Sequence, residues 1–222
     1  PLYPAVVGGL LTIVPGVSFF WMATIVSNVC SLLALLLIAS IAESRGGIDE
    51  VGRLLLVVLT SAGSFYLSIP YAEGLLLLLI AAAMVLSDRE GYRMSAVAAG
   101  LGAVTKPHGA ALILVPVVQF LVRSRGSWAL RRLTRLAAIV IIALVPIAIY
   151  LVFLSREVGS PLAFAEAQES WGAANPYPLK ALVGLVRFPT WLSGWVHGGV
   201  WVLYVGLLAR YYRSQGNFEA AN

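Results

Sequence analysis

The sequence has few charges and few of the residues that build disulfide or metal frameworks. Only 11% of its 222 residues are charged and 60% are hydrophobic, whereas about a quarter of a soluble domain is charged. Cys30 is the only cysteine, and His108 and His197 are the only histidines. An internal disulfide is therefore excluded, and a cysteine or histidine metal centre is not expected.

The apolar surplus predicts a membrane protein. A domain of this size leaves much of its surface exposed, so a mean hydropathy of +0.90 indicates lipid as the solvent. Long apolar runs such as Leu32–Ile38 and Leu75–Met84 do not alternate in polarity, which favours helices over a barrel. The net charge of +5 does not indicate nucleic acid, because the basic residues cluster at the ends of apolar segments.

Seven apolar stretches are separated by polar, proline or glycine residues. They fall at Val17–Ala42, Val51–Leu67, Tyr71–Leu86, Tyr92–Val104, Ala110–Val122, Leu136–Leu154 and Trp191–Leu208. A spanning helix needs about 20 residues, which the first and the last two provide. The four short stretches either span with polar flanks in a thinned bilayer or form re-entrant hairpins in some pairs. We therefore predict an all-α integral membrane protein, a polytopic bundle of about seven transmembrane helices in one domain over residues 1–222. The shorter run Ala5–Val14 is interpreted as interfacial or re-entrant.

The positions of lysine and arginine predict which loops share a side of the membrane. The link between Val122 and Leu136 carries five arginines and no acid, so it should be cytoplasmic. If each of the seven stretches crosses the membrane, successive loops alternate between its two sides. Starting from this link, eleven of the 15 basic residues then fall inside and four outside. The segments that fall outside are Pro1–Pro4, Ser68–Glu73, Thr105–Gly109 and the loop 155–190. We expect the functional face to be extracytoplasmic, because the unusual polar and proline-rich segments collect there.

Two of these segments carry charge at the ends of apolar stretches. Glu73 opens an apolar run, and an ionisable group at membrane depth is often functional, although the helix dipole alone would favour a carboxylate there. Lys106 and His108 flank Pro107, and a lysine beside backbone N–H groups suits a phosphate. The alternative is that Lys106 extends to the membrane interface and His108 caps a helix.

The long outer loop holds Gln168, Glu169 and Trp171. Amides, carboxylates and flat aromatic rings are the groups that usually recognise sugars, so Gln168 and Trp171 are candidate sugar contacts. The alternative is an interfacial belt of tryptophan and tyrosine, which accounts for many aromatic residues near the C-terminus.

In this order, four segments resemble those of a known family. Pro1-Leu-Tyr-Pro4 resembles the end of a Phe-Phe-Pro-Leu-Tyr-Pro motif, and Ser68–Gly74 resembles a Tyr-(Ser/Ala/Thr)-Glu segment that opens a helix. Thr105–Gly109 is similar to (Thr/Ser)-Arg-(Pro/Ser)-Asn-Gly, and Ala167–Trp171 is similar to a Gln-x-x-Trp in a luminal loop. Together they resemble the GPI mannosyltransferase 2 (PIG-V-like) family and its prokaryotic relatives, within the GT-C glycosyltransferases.

The resemblance implies transfer of mannose, or a similar hexose, from a polyprenyl-phosphate sugar to a lipid or glycan acceptor outside the cytoplasm. It implies catalytic roles for Glu73 and Lys106, with Lys106 stabilising the departing phosphate. The residues it places in substrate binding are Tyr3, Tyr71, His108, Gln168 and Trp171. The family's acidic base, often an aspartate of an outer loop, is expected upstream. The sequence begins without methionine or signal peptide, so we expect it to be the C-terminal portion of a longer chain.

Two positions depart from the family pattern, since Lys106 stands in place of arginine and His108 in place of asparagine. A site for a divalent cation, Mg or Mn, is neither predicted nor excluded, because a single glutamate supplies few of the oxygen ligands that such an ion needs. Two other functions stay open: a transporter or lipid flippase, and a non-catalytic subunit of a glycosylation complex. The expected location is a cell membrane with multiple passes, the plasma membrane of a bacterium or the endoplasmic reticulum of a eukaryote. Membrane lipids, and not nucleic acid, are the other expected partners.

Overall fold

The computed structural model describes residues 1–61, 63–124 and 130–170, and every regular element within these ranges is helical. The α-helices are α1 (Leu2–Ile13), α2 (Phe19–Gly46), α3 (Ile48–Thr60), α4 (Glu73–Asp88), α5 (Tyr92–Thr105), α6 (Leu114–Arg123), α7 (Leu130–Glu157) and α8 (Ala163–Ser170). Short 3₁₀ helices cover Ser64–Leu67 and Pro107–Ile113. The predicted all-α fold is confirmed for this part of the chain.

Two of the described helices are long and apolar enough to cross a membrane. They cover Phe19–Ser44, within α2, and Leu130–Glu157, which is α7. The helices α3 to α6 have 13, 16, 14 and 10 residues, so they extend about 15–24 Å, less than the roughly 30 Å of a hydrocarbon core. The stretch Trp191–Leu208 lies outside the described residues, and the total of about seven spans stays a prediction.

The apolar stretch Val51–Leu67 does not form one helix. Helix α3 ends at Thr60, and Ser61 turns to an extended conformation with φ −63° and ψ 146°. The Ser61 hydroxyl donates to the carbonyl of Val58 at 2.8 Å, an alternative to continuing the helix that serine often offers. The chain then re-forms only a single 3₁₀ turn, Ser64–Leu67, before α4.

Small residues allow the central helices to pack closely. A Cβ atom on Gly74 of α4 would lie 2.5 Å from the Ser31 Oγ of α2, and one on Gly100 of α5 would lie 2.3 Å from the Ala143 carbonyl oxygen of α7. Close backbone approach at small residues is typical of helices that associate within a membrane. Helices α2 and α7 thus flank the antiparallel pair α4 and α5.

The run Ala5–Val14, interpreted as interfacial or re-entrant, belongs to the regular helix α1, which begins at Leu2. Tyr3 and Val7 are buried against Met22 and Ala23 of α2 and Leu75 of α4. This packing fixes the start of α1 beside the start of α4.

The chain divides into two compact units, Pro1–Pro161 and Leu162–Asn222. The boundary falls inside the predicted loop 155–190, and α8 is the described element of the second unit. The single transmembrane domain over residues 1–222 stays a prediction. In the first unit, the two termini of α4 mark the two ends of the bundle, named here the Glu73 end and the Asp88 end.

Candidate functional site

Three segments that are distant in sequence meet at the Glu73 end. Lys106, after α5, forms an ion pair with Glu73 at the start of α4. Tyr3 of α1 and the backbone of Tyr71 both contact Ser27 of α2. These are three of the four segments that the charge pattern places on one side of the membrane, and four predicted site residues lie among them.

Proline chemistry directs Lys106 toward α4. Lys106 has φ −146° and ψ 149°, the extended conformation that a following proline, here Pro107, favours. The extended residue ends α5 and turns the chain into the 3₁₀ helix Pro107–Ile113. This turn is tight, because a Cβ atom on Gly109 would lie 2.1 Å from the carbonyl oxygen of Gly102. The site therefore needs glycine where Thr105–Gly109 resembles the family motif.

The Glu73–Lys106 pair has capacity for further contacts. The two side chains are partly buried, with exposed fractions of 27% and 23%. The Lys106 ammonium also lies 4.8 Å from the centroid of the Tyr71 ring, within cation–π range. Only Oε1 of Glu73 is paired with Lys106, while Oε2 is buried and has no hydrogen-bond partner among the described residues. A buried carboxylate oxygen without a donor is unusual, and it can accept a hydroxyl from a ligand.

Ser27 was not predicted as a site residue, yet it connects two segments of the site. Its Oγ lies 2.7 Å from the Tyr3 hydroxyl, 2.8 Å from the Tyr71 carbonyl oxygen and 3.1 Å from the Tyr71 nitrogen. The Tyr3 hydroxyl also donates to the carbonyl of Ala23 at 2.7 Å. Ser27 therefore holds the backbone that precedes Glu73 and fixes the direction from which α4 begins.

The segment before α4 docks against the side of α2. Ser31 donates to the carbonyl of Leu67 at 2.8 Å, and Asn28 donates to the carbonyl of Ser68 at 3.1 Å. Ser27 lies about 12 Å along the axis from Phe19, where α2 begins. Polar side chains of α2 thus supply hydrogen-bond partners for the non-helical backbone between α3 and α4.

Exposed aromatic residues mark the start of α2. Phe19, Phe20 and Trp21 are 53%, 58% and 62% exposed, and aromatic residues of this kind concentrate at the membrane interface. Ser27 lies further along α2 than these residues, so the Tyr71 backbone that it holds and the adjacent Glu73–Lys106 pair lie beyond the aromatic start of α2.

An apolar groove runs along the bundle toward the same end. Its volume is about 610 Å³, and it lies between α1, α5 and α7. A separate pocket of about 420 Å³ lies against α2, the end of α3 and the 3₁₀ turn Ser64–Leu67. That larger groove is lined chiefly by apolar side chains, including Leu2, Pro4, Val104, Pro146 and Phe153. Leu2 and Pro4 flank Tyr3, and Val104 precedes Lys106 by two positions, so the groove accompanies two segments of the site.

The other predicted site residues are His108, Gln168 and Trp171, and the described part of the structure does not show them in contact with the Glu73–Lys106 pair. His108 is exposed on the 3₁₀ helix that follows Lys106, and that helix has no side-chain cap. Gln168 lies in α8 of the second unit, and Trp171 lies outside the described residues. Within the described ranges, no group of three His, Cys, Asp or Glu side chains could hold a metal ion.

Comparison with protein-family models, with curated proteins and with solved structures finds nothing that matches this chain. The resemblance to the GPI mannosyltransferase 2 family is therefore carried by the four short segments of the sequence.

Proposed function

We propose that the chain belongs to a membrane glycosyltransferase that moves mannose, or a similar hexose, from a polyprenyl-phosphate donor to an acceptor on the extracytoplasmic face. The observation that supports this most is the meeting of Tyr3, Tyr71, Glu73 and Lys106 at one end of the bundle. These residues come from three separate segments of the family resemblance, and a chance likeness would not require the segments to touch.

Lys106 is the group that would act on the donor. When the bond between the sugar and the lipid phosphate breaks, negative charge develops on the phosphate oxygens, and a fixed cation stabilises that charge. The Lys106 ammonium is partly buried and lies over the Tyr71 ring, where its interactions are stronger than in water. An ammonium supplies a point charge and lacks the two-pronged geometry of arginine.

Glu73 would respond to the arrival of the donor. In the described structure it holds Lys106 through Oε1, so a phosphate must compete with a carboxylate for the same ammonium. A phosphate that wins this competition leaves both oxygens of Glu73 able to accept hydroxyls from the sugar or from the acceptor. The proposed role of Glu73 is thus to orient hydroxyl groups, with the deprotonating base supplied by another residue.

The apolar groove between α1, α5 and α7 suits the lipid part of the donor. Its volume is about 610 Å³ and its lining is almost entirely apolar, as expected of a site for a hydrocarbon chain. Its position beside Tyr3 and Lys106 would bring the phosphate of such a lipid toward the ammonium.

Multiple membrane passes are part of the proposal. We propose that the short helices α3 to α6 also cross, with the bilayer thinned or their polar flanks included. The chain would then lie in a cell membrane with about seven spans, and the Glu73 end would face the extracytoplasmic side.

The transporter alternative receives less support. A transport path needs polar groups that are free to face a passing substrate. Polar residues of the described helices bond instead to backbone carbonyls, as Ser27, Asn28 and Thr60 do.

The test is transfer of labelled mannose from polyprenyl-phosphate mannose by membranes that contain the full-length protein. The matched negative control is the double variant Glu73→Gln/Lys106→Met, which removes both charges of the pair together. We expect label to reach a membrane acceptor only with the unaltered protein. Equal transfer by both proteins, or transfer by neither, would contradict the proposal.

A further inference from the structure

A second groove lies at the Asp88 end, on the opposite end of α4 from the candidate site. Its volume is about 490 Å³, and it lies between the α4–α5 turn, α6 and α7. The lining includes Glu90, Tyr92, Arg93, Met94, Phe120 and Arg135. The proposed sugar transfer uses none of these residues.

Two arginines of this groove are available to a ligand. Arg93 and Arg135 are exposed, and neither side chain makes a hydrogen bond or an ion pair within the described residues. Arg123 nearby is different, because it is committed to the carboxylate and the carbonyl of Asp88. Glu90 is the acid in the groove, so the described lining has an excess of positive charge.

The floor of the groove is apolar. The rings of Tyr92 and Phe120 pack edge to face with their centroids 5.4 Å apart, and the buried Ile139 lies beside them. Met94 is 64% exposed at the rim. A soluble anion would use the arginines and leave this floor uncovered, whereas a lipid would use both.

We propose that this groove binds an anionic phospholipid, with the phosphate held by Arg93 and Arg135 and part of an acyl chain against the apolar floor. Guanidinium groups bind phosphate with two parallel hydrogen bonds, and basic pockets at the cytoplasmic ends of membrane helices attract anionic headgroups. Glu90 can accept hydrogen bonds from headgroup hydroxyls, which makes phosphatidylglycerol a suitable probe. This proposal is independent of the glycosyltransferase function.

The test measures binding of a fluorescent phosphatidylglycerol analogue to the full-length protein in a neutral detergent. The variant Arg93→Gln/Arg135→Gln removes the two groove arginines. The matched control Arg89→Gln/Arg131→Gln removes the same charge from exposed arginines that are not among the described lining residues. We expect the groove variant to bind about tenfold more weakly and the control to stay within about twofold of the unaltered protein.

Two results would overturn the proposal. An equal loss in both double variants would mean that the basic surface as a whole attracts the lipid, and no loss in the groove variant would mean that the groove is not the site. Equally tight binding of a phosphatidylcholine analogue would also count against it. If the double variant does not fold, Arg135→Gln alone, compared with Arg131→Gln, provides the same contrast on α7.

Discussion

The two ends of α4 each carry an ion pair, and the pairs are built differently. At the Asp88 end, the Arg123 guanidinium reaches Oδ1 of Asp88 at 3.0 Å and the backbone carbonyl of the same residue at 2.6 Å. At the Glu73 end, the Lys106 ammonium contacts one carboxylate oxygen and an aromatic ring. Both pairs join α4 to a segment that is distant in sequence.

The difference separates a structural clamp, the Arg123–Asp88 pair, from a pair with an oxygen that is unpartnered among the described residues, Glu73–Lys106. Arg123 bonds to backbone as well as side chain, so a ligand could not displace it without releasing the end of α4. Lys106 makes no such bond to the backbone of α4 among the described contacts, and Glu73 retains an unused oxygen. We infer that the Asp88 pair serves stability and that the Glu73 pair can open for a ligand.

The largest expected effect is on the proposed sugar transfer. Replacing Lys106 with Met should lower the rate of sugar transfer about 100-fold or more, since a group that stabilises developing charge commonly contributes that much. Initial rates with labelled donor give this number, and the amount of protein in the membrane fraction shows whether insertion is intact.

The variant Arg156→Met serves as the control, because Arg156 is exposed at the end of α7 and is a basic residue predicted on the same side. It should keep a rate near that of the unaltered protein. A normal rate for Lys106→Met would remove Lys106 from the mechanism.

The second effect tests how α4 is placed at its Glu73 end. Gly74→Ala would put a methyl group 2.6 Å from the Ser27 carbonyl oxygen, so we expect a loss of about 1–3 kcal/mol in the free energy of unfolding. The matched change Gly8→Ala, in α1, meets nothing within 4 Å and should stabilise slightly. Thermal unfolding in detergent compares them, and equal behaviour of the two variants would contradict the close α2–α4 contact.

The site could be predicted from the sequence only in part. The charge pattern predicted which segments share a side of the membrane. It could not predict that Glu73 and Lys106 form an ion pair, because two segments on the same side need not be in contact. Ser27 was missed because a serine in an apolar helix often bonds only to its own helix, as Thr24 does to the Phe20 carbonyl. The available signal was the spacing of Ser27, Asn28 and Ser31, which places three polar side chains near one another on a helix.

The helices were predicted better than their connections. The apolar runs and their flanking charges predicted the ends of α4 and α5 to within about two residues. Such accuracy is expected where charged, proline or glycine residues mark the ends of a helix. The stretch Val51–Leu67 was predicted as one apolar segment, but it does not form one helix. Helix α3 ends before Ser61, and contacts with α2 hold the turn that follows. Long-range bonds of that kind have no local signature.

The third effect tests the clamp at the Asp88 end. Arg123→Met should lower the free energy of unfolding by about 1 kcal/mol, a small value because the pair is partly exposed to solvent. That corresponds to a shift of roughly 2–4 °C in the unfolding midpoint. Transfer rates at a temperature well below the midpoint should be unchanged, and a loss of rate as large as that of Lys106→Met would erase the distinction between the two ends.

The smallest effect concerns the ring beneath Lys106. Tyr71→Leu removes the cation–π contact, which is worth about 0.5–1 kcal/mol at a partly exposed site, while the bonds from Ser27 to the backbone of Tyr71 remain. We expect a reduction of about two- to fivefold in the transfer rate. Tyr71→Phe keeps the ring and should be close to normal, and a loss as large as that of the leucine variant would assign the effect to the hydroxyl instead.

Cysteine labelling tests the placement of the two ends on opposite sides of the membrane most directly. In a Cys30→Ala background, which has no other cysteine, single cysteines replace Ala110 near the Glu73 end and Arg89 near the Asp88 end. A membrane-impermeant maleimide applied from the extracytoplasmic side should label the first in intact cells and the second only after permeabilisation. Labelling of both positions from the same side would contradict the account.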